Sequence, residues 1–119
     1  MRNICCNVLS AVNTASQNGI VVDANQLVSG SFLAYFGDAT ATGTFKIQAS
    51  NDPCPFGNTA ANFTPTHWAD IPSASVAIAA GASQLILIPN MAFRWVRAVY
   101  TRGSGGSTTV NVNMNALSV

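Results

Sequence analysis

Glutamate is absent from the 119 residues, and charge of either sign is scarce. Charged residues make up 8% of the chain, against about 25% in ordinary soluble domains. The acids are Asp23, Asp38, Asp52 and Asp70, and the bases are Arg2, Lys46, Arg94, Arg97 and Arg102, for a formal net charge of +1. Such a balance supplies no basic stripe for phosphates, so no nucleic-acid partner is expected. One histidine and no glutamate provision acid–base catalysis poorly. No apolar run approaches the 18 or so residues of a helical membrane span, and no membrane partner is expected. Asn7 and Ser10 interrupt the apolar stretch 4–12, and Asn13 follows it. No cleaved signal is read there, and synthesis in a cytoplasm is expected.

Cysteine is limited to Cys5, Cys6 and Cys54. The count is odd, two members are adjacent, and there is no Cys-x-x-Cys pair or paired-histidine spacing for zinc. Free, mostly buried thiols are expected, with a bridge from Cys54 to the N-terminal pair as the alternative.

What is present is apolar and neutral polar: 49% hydrophobic residues, with Asn, Thr, Ser, Ala and Gly plentiful. That excludes disorder, which needs low hydrophobicity and high charge. The length suits one domain, residues 1–119, able to bury about two-thirds of its unfolded surface. A surface with so little charge repels its copies weakly, so a homo-oligomer is expected.

Short apolar stretches separated by turn clusters predict an all-β fold of about eight strands: a single-domain antiparallel β-sandwich, jelly-roll-like. Strand candidates are 4–12, 20–22, 26–36 with Gly30 as a bulge, 44–50, 67–71, 75–79, 85–88, 92–101 and 108–117, with 13–19 a polar turn and 1–18 a candidate N-terminal arm. In 44–50, Phe45, Ile47 and Ala49 share one face. In 108–117, Val110, Val112, Met114 and Ala116 oppose Asn111, Asn113 and Asn115. The run 85–88 is continuously apolar. A helix competes only over 74–82, where Gly81 and the β-branched residues favour strand. The last two strands read as the clearest hairpin. Residues 51–65 form the longest irregular stretch, with three of the five prolines.

Candidate chemistry is thin. His67 and Asp70 sit three residues apart, and Ser73 or Ser75 could serve them as nucleophile, but no nucleophile-elbow motif surrounds either serine. No catalytic residue is assigned. Asp23, Asp38, Asp52 and Asp70 are too scattered for a calcium site and suit turns instead, so neither metal nor cofactor is expected. Arg94, Arg97 and Arg102 interleave with Trp95 and Tyr100. On an extended strand, Arg94 and Arg102 share a face with Val96, Ala98 and Tyr100, and Arg97 shares the other with Phe93, Trp95 and Val99. Divided arginines beside aromatics suit an interface better than a base-stacking surface.

Two segments carry a resemblance. One runs Gly43-Thr44-Phe45-Lys46-Ile47-Gln48-Ala49-Ser50-Asn51-Asp52 and continues at Trp68-Ala69-Asp70-Ile71. The other runs Phe93-Arg94-Trp95-Val96-Arg97-Ala98-Val99-Tyr100-Thr101 to the turn Ser104-Gly105-Gly106-Ser107. Together they resemble small virion proteins of tailed bacteriophages and are similar to the core strands of discoidin-like β-sandwich domains. The resemblance covers roughly residues 43–112. It implies a structural or binding module, with Trp68 and Trp95 between the sheets and the arginine strand in the middle of the sandwich. The loop 53–66 is an insertion relative to that pattern. The function expected is a capsid decoration (cement) protein bound to the major capsid protein across capsomers, as a clamp at a symmetry axis for which a trimer is favoured, with the virion as its location. The alternative is a glycan-binding module of a tail or fibre, using Phe56, Phe63 and Trp68. Contact candidates are Asn51, Phe56, Phe63, Trp68, Arg94, Arg97 and Arg102.

Overall fold

A computed structural model describes residues 2–12, 15–37, 41–53, 63–78, 82–104 and 108–119. They form nine strands: β1 (Arg2–Val12), β2 (Gln17–Asn18), β3 (Val22–Asp23), β4 (Leu27–Phe36), β5 (Gly43–Ser50), β6 (Ala69–Ile78), β7 (Ser83–Ile88), β8 (Trp95–Arg102) and β9 (Thr109–Ser118). All pairings are antiparallel. Sheet A has the order β1-β9-β4-β7, and sheet B the order β2-β8-β5-β6, with β3 also on β8. β2 and β3 are two short grips on one neighbour, so the fold counts as eight strands with one interrupted.

The strand order is a jelly roll. β5 pairs with β6, β4 with β7, the β2–β3 line with β8, and β1 with β9, so the chain doubles back on itself about its middle. Rolling that ribbon sets β9 beside β4 and β8 beside β5. The two arginine-bearing and asparagine-bearing strands, expected as a hairpin, therefore lie in different sheets: the connection after Arg102 crosses the sandwich. Residues 2–12 of the candidate arm are β1, an integral strand of sheet A.

The core follows the period of two. Phe45, Ile47 and Ala49 point inward, as do Val110, Val112, Met114 and Ala116. Phe36, Phe45 and Tyr100 meet with ring centroids 5.2–5.8 Å apart. Each such buried large side chain contributes about 1.5–3 kcal/mol of transfer free energy.

Several expectations need correction. The bulge of β4 falls between Leu27 and Ser29 rather than at Gly30. The stretches 67–71 and 75–79 belong largely to one strand, β6, whose register jumps from Asp70 to Ser75 while β5 advances only from Gln48 to Lys46. Pro72 followed by Ser73 at φ 63° makes that jump, as Pro then positive φ makes a type II turn. The polar segment 13–19 contains β2. The run 85–88 alternates: Ile86 and Ile88 are buried, whereas Leu85 and Leu87 are exposed. Cys5 and Cys6 are free but exposed, not buried; Cys54 lies outside the described residues.

β1 also seams the two sheets. Its register slips at Val8, whose carbonyl turns out of sheet A and accepts the Ile20 N–H at 2.9 Å. The neighbouring Gly19 N–H donates to Ala98 of β8 at 2.7 Å. Glycine is required there because a Cβ would sit 2.4 Å from the Val8 oxygen.

Candidate functional site

The two outer faces have opposite character. On sheet B, β8, β5 and β6 set Arg97, Gln48 and Asp70 side by side in register. The Gln48 Oε1 accepts from Arg97 Nε at 3.0 Å and Nη2 at 2.7 Å. Its Nε2 donates to Asp70 Oδ1 at 2.9 Å, and Lys46 Nζ reaches the same carboxylate at 3.1 Å. The amide thus passes polarisation from a cation to an anion, and these bonds hold the Asp70 carboxyl below its ordinary range, Gln48 contributing most and Lys46 next. Arg97 also lies over Trp68, 4.3 Å from the ring centroid. Partial burial lowers the guanidinium from its usual value, yet an arginine keeps its proton in proteins.

The end of the 51–68 loop is clasped by Asp52. Its Oδ2 accepts the backbone N–H groups of Thr66 at 2.8 Å and His67 at 3.0 Å, and its Oδ1 lies 3.0 Å from His67 Nδ1. The two backbone donors, His67 first, depress the Asp52 carboxyl. The histidine therefore partners Asp52, not Asp70. The Thr66 hydroxyl is 3.1 Å from that same Nδ1, whereas a catalytic relay needs hydroxyl and carboxylate on opposite ring nitrogens.

Neither tryptophan fills the space between the sheets. Trp95 is buried one step out of phase with the core residues Val96, Ala98 and Tyr100. Its Nε1 donates to the Asp52 carbonyl at 3.0 Å, Phe63 packs on it at 5.6 Å, and Arg94 caps it at 4.2 Å while pairing with Asp23. Trp68 is half-buried, its Nε1 donating to the Pro65 carbonyl at 3.2 Å.

Of the contact candidates, Asn51, Phe63, Trp68, Arg94 and Arg97 gather at one end of sheet B, with Asn51 Oδ1 accepting the Arg94 N–H at 3.0 Å. Their polar groups are engaged within the chain, Arg94 by Asp23, Arg97 by Gln48 and Trp68 by the Pro65 carbonyl. Arg94 precedes β8, and the face expected to carry Arg94 and Arg102 is the core face. Arg102 sits at the far end of β8, about 25 Å from Arg94 by strand rise, with its N–H on Ser16 Oγ at 3.0 Å. Phe56 lies outside the described residues. Beside this cluster is a cleft of about 220 Å³, lined by Asn51, His67, Asp70, Ile71 and Phe93 among others.

Sheet A is different. Its four strands carry one charged residue, Arg2, which is in phase with the buried, inward Ser118. The outward rows are neutral throughout. One runs Cys5–Asn115–Ser31–Leu87 and the next Asn7–Asn113–Leu33–Leu85 across β1, β9, β4 and β7. Cys5 Sγ donates to Asn115 Oδ1 at 3.2 Å, and Asn7 Nδ2 to Asn113 Oδ1 at 2.8 Å. Leu85 and Leu87 stand at its margin, 59% and 68% exposed. The alternating asparagines signal an outward face in the sequence. That the four strands meet in one uncharged surface has no local signal.

In comparison with known proteins, the chain matches no family model and no curated protein.

Proposed function

We propose that this chain is a structural virion protein of a tailed phage, a capsid decoration protein that docks on the major capsid protein across capsomers. The observation that carries the reading is the uncharged outer face of sheet A. A charge buried at a permanent contact costs several kcal/mol unless it is paired, and this face asks for no such pairing. Its neutral amides and hydroxyls can exchange water for partner hydrogen bonds, and its leucines supply apolar area. Three strands of ten or eleven residues and one of six present roughly 600 Å². Two such partners bury about 1,200 Å², the lower limit of a standard stable interface. Copies repeated over a lattice multiply that contact by avidity. The motif segments on β5, β6 and β8, which resemble phage virion proteins, support the same reading. They put the ion pairs on sheet B, the face that would stay in solvent.

Incubation of the purified protein with expanded phage heads, followed by sedimentation, tests it. The expected result is a fixed copy number per head. Absence of head binding with tight binding to tail parts overturns the capsid assignment.

The second reading, a glycan-binding module of a tail or fibre, is favoured by one observation: the cleft beside Asn51, His67, Asp70 and Phe93. Of the aromatics named for it, Trp68 is engaged by Arg97 and Phe63 by Trp95, and Phe56 lies outside the described residues. A glycan array with no hits above background removes it.

A further inference from the structure

Four margins bound the two sheets: β1 and β7 on sheet A, β6 and the β2–β3 line on sheet B. A free margin offers unpaired N–H and C=O groups to any extended segment, and folded proteins blunt it with bulges, proline, charge or interruption. Three of the four are blunted. β1 begins with Arg2 and is bulged at Val8. β6 carries Asp70, Pro72, the left-handed Ser73 and a register jump. The β2–β3 line is broken between Asn18 and Val22 and ends on Asp23. β7 has none of these devices. It holds unbroken register with β4 from Ser83 to Ile88 and contains no charge and no proline. Its outward side chains Leu85 and Leu87 are exposed, and among the described residues no strand pairs with its outer side.

We propose that β7 is a self-pairing edge: a second copy of this chain lays its own β7 antiparallel against it, joining two four-stranded sheets into one of eight. A two-fold contact sets a surface against itself, so any charge on the strand would meet its own kind. Of the four margins, only β7 is free of that penalty. Pairing centred on Ile86 sets each Leu85 beside the Leu87 of the other copy, on the same outer face, where directly opposed apolar side chains interact best. The area argues for a reversible contact. A six-residue strand spans about 20 Å and the two layers lie about 10 Å apart. The joined margins therefore cover roughly 400 Å² in total, well below the ~1,200 Å² of stable complexes and within the weak class.

Sedimentation velocity over a wide concentration range, with amide hydrogen exchange at both extremes, tests this. The mass is expected to rise from one chain to two with concentration, and exchange is expected to slow over residues 83–88 but not over 2–7. Leu85→Lys and Leu87→Lys alter exposed side chains, so each should keep the wild-type circular dichroism and abolish the doubling. A monomer at every concentration, a trimer, or a dimer that persists in both lysine variants would overturn the inference, as would slowed exchange confined to β1. The assay contains no phage component, so its outcome is independent of the capsid reading, and the inference does not rest on that reading.

Discussion

Arg97 lies over Trp68, its guanidinium 4.3 Å from the ring centroid, while the same group forks onto Gln48. One side chain on β8 thereby fastens the end of the 51–68 loop to the middle of sheet B. Lysine cannot reproduce both contacts, because it lacks the planar fork. Arg97→Ala is expected to cost about 1–2 kcal/mol, combining a cation–π contact with a charge-assisted hydrogen bond. Arg97→Lys should recover less than half of that. Urea unfolding of the three proteins measures it; equal stability of the lysine variant and wild type would remove the fork from the account.

Asp52 and Asp70 predict an acid limb of stability. Both carboxyls sit below 3.8 in the folded protein, because the folded state donates hydrogen bonds to the charged form. Their stabilisation is therefore present above the unfolded value and is lost as pH falls through the folded values, where the native state must take up protons. The melting temperature is expected to drop below about pH 4. Asp52→Asn should begin lower and fall less steeply over that range. Calorimetry from pH 2 to 6 checks it, and identical slopes in the variant and wild type would contradict the clasp.

Gly19→Ala probes the seam between the sheets. The added Cβ would meet the Val8 carbonyl oxygen at 2.4 Å and the Ala98 oxygen at 3.2 Å. These are backbone atoms that cannot swing aside, so the β1 bulge or the β2–β3 line must shift. Overpacking of this kind costs about 1–3 kcal/mol, read as a lower urea midpoint at unchanged slope.

Ser73 holds φ 63° in the middle of β6, a conformation that costs an L-residue about 1–2 kcal/mol. Glycine removes that cost but adds unfolded-state entropy of about 0.4–1 kcal/mol. Ser73→Gly should be neutral or stabilising by up to about 1 kcal/mol, and Ser73→Val should destabilise. Thermal unfolding of the two variants orders them.

The sandwich was legible where alternation is local. Phe45, Ile47 and Ala49 show their inward face in five residues, and Val110 to Ala116 in seven. Where the period breaks, the reading fails for physical reasons. Leu85 to Ile88 looks like a buried run because all four residues are apolar, yet only Ile86 and Ile88 face the core. Trp95 has the phase of an outward residue but is buried by Phe63 and Arg94, brought over it by the loop and by the strand's own start. Strand order left no trace, since the pairing of Cys5 with Asn115 joins residues at opposite ends of the chain. At the candidate site, the interleaved arginines and aromatics drew attention to β8. Gln48, which links Arg97 to Asp70, is unremarkable until three strands align, and the neutral face of sheet A exists only once four strands are assembled.

The central claim is that sheet A is the docking face, and one substitution on each side of the sandwich tests it directly. Asn115→Lys puts a cation in the middle of sheet A, where Asn115 is exposed. His67→Ala alters the sheet B side, at a residue that is also exposed. Binding of both variants to expanded heads should be measured by sedimentation against wild type. The account predicts at least a tenfold loss for Asn115→Lys, as expected for an unpaired charge at a buried contact, and wild-type binding for His67→Ala. Full binding by a correctly folded Asn115→Lys, with loss in His67→Ala, would contradict it and turn attention to the cleft.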